Sequence, residues 1–139
     1  MLTALVVIPL VGALITLALP KEKHDLIKRF SLVVSVIPLI LVALMLGGFQ
    51  FGSAEMQYVV DVDWIPTIGA SFKLGVDGLS YPMLWLTGIV SVLAIVASWT
   101  IDHREKEFFA WMLALQTAMY GVFLALDYLL FFVFWELLL

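Results

Sequence analysis

The sequence predicts an all-α membrane protein, a bundle of several transmembrane helices with a β-hairpin on its outer surface. Of its 139 residues, 64% are hydrophobic and only 13% are charged, whereas an average soluble domain carries about 25% charged residues. Apolar runs of membrane-spanning length recur along the chain, and one segment between them alternates polar and apolar residues. A soluble domain of this size could not bury so much apolar surface, so lipid must be the solvent for most of the chain.

Three apolar runs without any charged residue are candidates for complete transmembrane helices. Crossing a hydrocarbon core of ~30 Å takes about 20 mostly apolar residues. The first run is stopped by Pro20 and a strongly charged segment, and the second ends at a pair of glycines, Gly47 and Gly48. We expect helices over residues 2–19, 30–46 and 81–101.

The last apolar stretch, residues 108–139, contains more than one helix. As a single helix it would run about 48 Å at 1.5 Å per residue, which exceeds the thickness of the hydrocarbon core. Asp127 stands just before the run YLLFFVF, where its carboxylate can accept from the free N–H groups of a starting helix. We therefore expect a fourth span over residues 108–125 and a fifth, incomplete within this sequence, over residues 128–139.

The basic residues predict the orientation in the membrane. Six of the seven lie in two short polar segments, residues 21–29 and 102–107. Two predicted spans separate these segments, so they share one side of the membrane, which the positive-inside rule makes cytoplasmic. The N-terminus, residues 47–80 and Asp127 are then predicted to lie outside. The basic residues form no arm or patch of the kind that binds nucleic acid, so we expect no nucleic-acid partner.

The outer segment contains two period-two runs. In YVVDVDW and in ASFKLGV, apolar residues alternate with polar ones, and the two runs are joined across PTIG. This pattern predicts a β-hairpin over residues 58–76 with one apolar face. We expect the hairpin to lie flat on the outer surface with that face toward the helices; the alternative is an irregular loop.

Glu136 is the candidate functional residue, because it is an acid in an otherwise apolar predicted helix. It lies nine residues beyond Asp127, roughly 13.5 Å deeper and near the middle of the bilayer. An ionised side chain there costs at least ~2.5–3.5 kcal/mol, so the carboxyl must either stay protonated or meet a basic partner. A group balanced between these states can relay protons; the alternative is a protonated Glu that only packs.

No basic residue of this sequence is placed to pair with Glu136. Lys73 is predicted outside, and the other basic residues lie in the inner segments. Residues 128–139 would make only about 18 Å of helix, and a helix ending in mid-membrane would leave its last carbonyls unsatisfied. We therefore expect these residues to be the first part of a longer chain, whose later part supplies the partner.

Asp77, Gly78 and Ser80 are predicted to form a turn and a helix cap. The Asp77–Gly78 pair is typical of a turn, and Ser80 is the expected N-cap of the third span, with Pro82 in its first turn. This chemistry accounts for the three residues without a proton-carrying role.

Gln116, Thr117 and Tyr120 share one face of the fourth span, at positions i, i+1 and i+4. They could donate hydrogen bonds to neighbouring helices or line a polar path, and we favour packing. The sequence has no cysteine, hence no thiolate metal site, and we expect no metal site.

Two stretches carry a resemblance to a known family. LGVDGLSYPMLWLTGIVSVLAIVASW (74–99) and GVFLALDYLLFFVFWELLL (121–139) resemble subunit M, the chain 4 family of bacterial respiratory complex I, a proton-pumping NADH:quinone oxidoreductase. Mrp-type sodium/proton antiporter subunits and subunits of membrane-bound hydrogenases are related to it. The resemblance implies an antiporter-like fold with inverted repeats, an outward N-terminus and an outer hairpin.

The resemblance also implies a role for Glu136. In the family, the matching glutamate pairs with a lysine on a later helix, and changes in that pair move protons while quinone is reduced elsewhere. NADH, FMN, iron–sulfur clusters and quinone are then expected in partner subunits, and no cofactor in this chain. The expected partners are lipid and other membrane subunits of a bacterial or archaeal inner-membrane complex. The alternatives are a subunit of an Mrp-type sodium/proton antiporter and a structural membrane subunit without a proton path.

Overall fold

The computed structural model describes residues 2–20, 22–50, 52, 55–101 and 104–139. Within them it contains five α-helices and one two-stranded antiparallel sheet, so the predicted helical bundle with a hairpin is confirmed. The elements in chain order are α1 (Leu2–Ala18), α2 (His24–Met45), β1 (Gln57–Ile65), β2 (Ala70–Val76), α3 (Ser80–Ala97), α4 (Glu105–Leu124) and α5 (Tyr128–Leu138).

The helices differ from the predicted spans most at the starts of α2 and α4 and at the end of α3, which stops at Ala97 and not at residue 101. α2 already begins at His24 and α4 at Glu105, both within segments that the sequence analysis assigned to polar loops. The absence of charge marks the part of a helix that suits hydrocarbon, whereas the helix itself can start in the polar layer. In the described part of the chain, α2, α3 and α4 are long and apolar enough to cross a membrane, and α1 and α5 are shorter, with 17 and 11 residues.

Successive helices run in opposite directions, so the bundle has two distinct ends. We call the end next to the strands the hairpin end; its core includes Leu5 of α1, Leu74 of β2 and Leu124 of α4. We call the opposite end, where α2 and α4 begin beside the basic segments, the basic end; its core includes Ile27 of α2 and Phe109 and Leu113 of α4. α2 and α4 therefore run parallel to each other, which later brings their first turns together.

Close helix packing depends on small residues at several positions of the interior, two of which involve α4. A Cβ on Gly88 of α3 would fall 2.9 Å from the Tyr120 hydroxyl of α4 and against Leu39 of α2. A Cβ on Gly121 of α4 would fall on the ring of Phe134 of α5. Glycine at these positions lets the backbones approach, as small residues commonly do between membrane helices.

The outward faces of the helices are apolar. Exposed side chains include Leu14 of α1, Val33 and Leu44 of α2, and Leu86 and Leu93 of α3. A contiguous apolar exterior of this kind is stable against lipid and not against water.

The hairpin confirms the predicted pairing but only half of the predicted packing. Val62 lies opposite Phe72 and Asp61 opposite Lys73, so apolar pairs and an oppositely charged pair face each other across the strands. Leu74 of β2 is fully buried against the helices, whereas Val62 of β1 is 56% exposed. The expectation that the whole apolar face lies toward the protein is wrong near the turn, where Val62 and Trp64 of β1 are exposed. Val60 of β1 packs against the core at the hairpin end, and β2 packs on α4 and α5.

Candidate functional site

Asp127 connects the hairpin to the start of α5. Its Oδ1 accepts hydrogen bonds from the backbone N–H groups of Leu129 and Leu130 at 2.9 and 3.3 Å, which is the predicted N-cap. Its Oδ2 accepts from the N–H of Ser71 in β2 at 3.2 Å. The Ser71 N–H, followed by the two helix N–H groups, lowers the pKa of the Asp127 carboxyl, because these bonds favour the ionised form.

The connection between α4 and α5 also pairs with the hairpin. Leu126 N–H donates to the Lys73 carbonyl at 2.9 Å, and Ala125 forms an antiparallel bridge with Leu74. The direction in which α5 leaves the hairpin end is therefore held by backbone bonds as well as by Asp127.

Two buried side chains hold α5 against α4. Leu130 and Phe134 are its buried residues, and the Phe134 ring covers Gly121. The rest of α5 faces outward, with Phe131 and Trp135 stacked at 5.9 Å between ring centroids. Glu136, two residues beyond Phe134, is thus placed at the edge of the α4–α5 contact.

Glu136 lies in an open apolar groove between the first half of α4 and the end of α5. The groove is lined by Phe108, Trp111, Met112 and Leu115 of α4 and by Leu137 and Leu138 of α5. The side chain is exposed within this chain. The reason is that α5 packs through a single narrow stripe, which leaves the next face of the helix uncovered.

None of the side chains in the described ranges forms a hydrogen bond or ion pair with Glu136, and no group of His, Asp or Glu side chains there could hold a metal ion. Its partner therefore stays a prediction.

The three polar residues of α4 are not part of the Glu136 groove. Gln116 Nε2 donates to the Ser35 carbonyl of α2 at 3.1 Å, and Thr117 Oγ1 donates to the Val6 carbonyl of α1 at 3.0 Å. Both side chains and that of Tyr120 are buried inside the bundle. None of the three lines the groove, so the structure does not bring them together with Glu136.

The start of α3 is capped differently from the prediction. Ser80 is the first residue of the helix and not its N-cap. Asp77 Oδ1 accepts from the N–H groups of Leu79 and Ser80 at 3.0 and 2.8 Å, and Gly78 lies in the turn between them. These bonds, with that to Ser80 the largest, lower the pKa of the Asp77 carboxyl. Asp77, and not Ser80, takes the capping role, because its carboxylate reaches the free N–H groups at the start of the helix.

The sequence analysis missed one buried acid, Glu105. It is the first residue of α4, yet it is only 4% exposed and contacts the side chains of His24 and Lys28 of α2. The sequence did contain a signal for this contact, because two segments with charged residues were assigned to the same side of the membrane. Their contact could not be read from the sequence, because it depends on α2 and α4 lying side by side.

Known proteins similar to this chain share one description. A NAD(P)H-quinone oxidoreductase chain 4 from Nostoc sp. is 38% identical over 140 residues, which cover 98% of this chain and 26% of that protein. A chain 4 protein from Thermosynechococcus vestitus is 39% identical over 98% of this chain. A chloroplastic chain 4 protein from Chlorokybus atmophyticus is 37% identical over the same share. The chain thus spans about a quarter of the length of these relatives. No family model matches it.

A solved structure shares the fold. A chain of the membrane-bound sulfane sulfur reductase, an archaeal respiratory membrane complex, matches with a TM-score of 0.82 over 99% of this chain and 21% of its own length, at 19% identity. With three helices of membrane-spanning length, this is a multi-pass membrane protein. The resemblance found in the sequence is confirmed: along nearly its whole length, the chain is homologous to a segment of the NAD(P)H-quinone oxidoreductase chain 4 family.

Proposed function

We propose that this chain is part of a proton-translocating membrane subunit of a quinone oxidoreductase complex, and that Glu136 takes up and releases the proton. The homology to chain 4 proteins supports the assignment to such a complex. The observation that carries the role of Glu136 is its position, a single carboxyl in a groove whose other lining side chains are apolar.

In this proposal the Glu136 carboxyl alternates between a protonated and an ionised state. Apolar surroundings disfavour the carboxylate, whereas a cation brought within about 4–6 Å favours it. A lysine supplied by another helix of the full-length protein would cover the groove and hold Glu136 ionised. When the lysine moves away, Glu136 binds a proton; when it returns, Glu136 releases one.

The surroundings of the subunit follow from the same proposal. The apolar outer faces of the helices contact lipid and neighbouring membrane subunits, and the basic end faces the cytoplasm of a bacterial or archaeal cell. NADH, FMN, iron–sulfur clusters and quinone belong to partner subunits, so this chain contributes proton movement and no redox chemistry.

The test is Glu136→Gln in the full-length protein within the assembled complex, in sealed membrane vesicles. We expect electron-driven proton translocation to fall severalfold, while oxidation of the electron donor by a water-soluble artificial acceptor stays normal. Asp63→Asn is the matched control, since it removes an exposed carboxylate of β1 outside the helices. Normal proton translocation by a correctly assembled Glu136→Gln complex would refute the proposal.

A further inference from the structure

The basic end contains a second acid with titratable neighbours. α2 and α4 begin side by side there, and Glu105 Oε1 contacts His24 Nδ1, while Glu105 Oε2 lies 3.7 Å from Lys28 Nζ. The Glu105 side chain is 4% exposed, the Lys28 side chain 13% and the His24 side chain 59%. A buried carboxylate is therefore connected to the solvent through an exposed imidazole.

This arrangement can do more than hold two helices together. Histidine is the side chain that normally changes charge near neutral pH, and it can therefore pass protons between solvent and a less accessible group. A second lysine or an arginine in place of His24 would hold α2 against α4 equally well through Glu105. Such a side chain could not shuttle protons near neutral pH. The imidazole is the part of the cluster that a purely structural contact does not require.

A polar seam runs from this cluster into the bundle. His24, Lys28, Ser31 and Ser35 follow one another on α2 at spacings that keep them on one face. Eleven residues, or about three turns, separate His24 from Ser35 and also Glu105 from Gln116. Because α2 and α4 are parallel, His24 meets Glu105 at the ion pair, and Ser35 meets Gln116 through the bond from Gln116 Nε2 to the Ser35 carbonyl.

Several buried polar atoms of the bundle lack a hydrogen-bond partner among the described residues. They come from three helices: Ser31 Oγ and Ser35 Oγ of α2, Ser91 Oγ of α3 and Gln116 Oε1 of α4. Buried polar groups are generally hydrogen-bonded, and groups that lack a protein partner commonly bind ordered water. Between the His24–Glu105 contact and the Gln116–Ser35 bond, α4 contributes the apolar Phe109 and Leu113. Ser31 of α2 is therefore the polar group between these two contacts.

We propose that His24, Glu105 and Lys28 form a proton-exchange site that loads protons into the α2–α4 seam, separately from Glu136. The proton moves from the Nδ1–H of the His24 imidazolium to Glu105 Oε1: the N–H bond breaks, the O–H bond forms, and a neutral imidazole and a carboxylic acid result. Solvent at the basic end protonates the imidazole again. Lys28 favours the return of Glu105 to the carboxylate: the Glu105 O–H bond breaks and the proton passes to a water molecule hydrogen-bonded to Ser31 Oγ, the next polar group of the seam. This inference rests on the proposed proton-translocating function.

The decisive variant is His24→Ala in the full-length protein of the assembled complex, with the rate of membrane-potential formation in sealed vesicles as the readout. We expect the rate to fall about tenfold or more, and free imidazole in the buffer to restore much of it. A membrane-potential dye is used because imidazole, a permeant weak base, collapses a pH gradient. Arg29→Gln is the matched control, since it removes an exposed cation from the same end of α2.

Glu105→Gln provides the second measurement. It should slow the formation of the potential to a similar extent and should not respond to imidazole, because the acceptor itself is lost. If this variant fails to assemble, the response of His24→Ala to imidazole still decides. A normal rate in His24→Ala would overturn the inference. A loss that imidazole leaves unchanged and that Lys28→Gln reproduces would also overturn it, because it would show that the cluster only holds the helices together.

Glu136→Gln separates this inference from the proposed function. If Glu136→Gln blocks translocation while His24→Ala and Glu105→Gln do not, only the exchange site is refuted. If Glu136→Gln translocates normally, the proposed function itself fails.

Discussion

Asp127 has three backbone hydrogen bonds, to Leu129, Leu130 and Ser71, and thereby ties the start of α5 to β2. The two bonds to the helix were predictable from the sequence, because a cap involves residues only two and three positions away. The bond to Ser71 was not, since it joins residues far apart in the chain. Glu105 was missed for the same reason.

The lowered pKa of Asp127 makes this junction sensitive to acid. Its folded-state pKa lies below the ordinary value of 3.8, so its contribution to stability is fully present above pH ~4 and is lost as the pH falls through the folded-state value. We expect the acid-induced loss of stability of the full-length protein in detergent to be smaller in Asp127→Asn than in the wild type. The measurement is the thermal unfolding midpoint as a function of pH; equal pH dependence in both proteins would contradict the expectation.

At the level of elements, the contact between α4 and α5 determines where Glu136 lies. The Phe134 ring rests on Gly121, and a Cβ there would overlap the ring. The start of α5 could be predicted from Asp127 and the run of apolar residues after it. Its rotation about its own axis could not, because every face of that helix is apolar apart from Glu136.

Gly121→Ala tests this contact. The added methyl group must push the ring away, and overpacking of this kind typically costs about 1–3 kcal/mol. We expect a lower thermal midpoint of the full-length protein and weaker proton translocation, because α5 carries Glu136 with it. Gly78→Ala is the control, since a Cβ there meets open space. Equal midpoints for the two variants would mean that α5 is not held in this way.

The hairpin shows what alternation in a sequence can and cannot predict. Alternating residues predicted the strands and their pairing, since period two follows from strand geometry. They could not predict which of the apolar residues pack against the helices, because both strands have an apolar face.

Two substitutions on the hairpin test the observed burial. Leu74→Ala should cost about 2–5 kcal/mol in the free energy of unfolding, because it leaves a cavity at the hairpin end. Val62→Ala should change it by less than about 0.5 kcal/mol, as is usual for exposed positions. Comparable losses in detergent-solubilised full-length protein would place Val62 against the helices as well.

At the scale of the whole molecule, composition and charge distribution were sufficient to predict a membrane-spanning helical bundle. The environment of Glu136 was not predictable, because it depends on which faces the five helices leave uncovered. In this chain the groove around Glu136 is open, and its lining side chains are apolar. The proposed function requires that another helix closes this groove in the full-length protein.

The most direct test is a structure of the full-length protein in its assembled complex, at a resolution that shows side chains around Glu136. The account predicts a helix packed over Phe108, Met112 and Leu115, with a lysine or another cation directed at the Glu136 carboxyl. A Glu136 carboxyl that faces lipid tails or bulk water, with no cation beside it, would contradict the account.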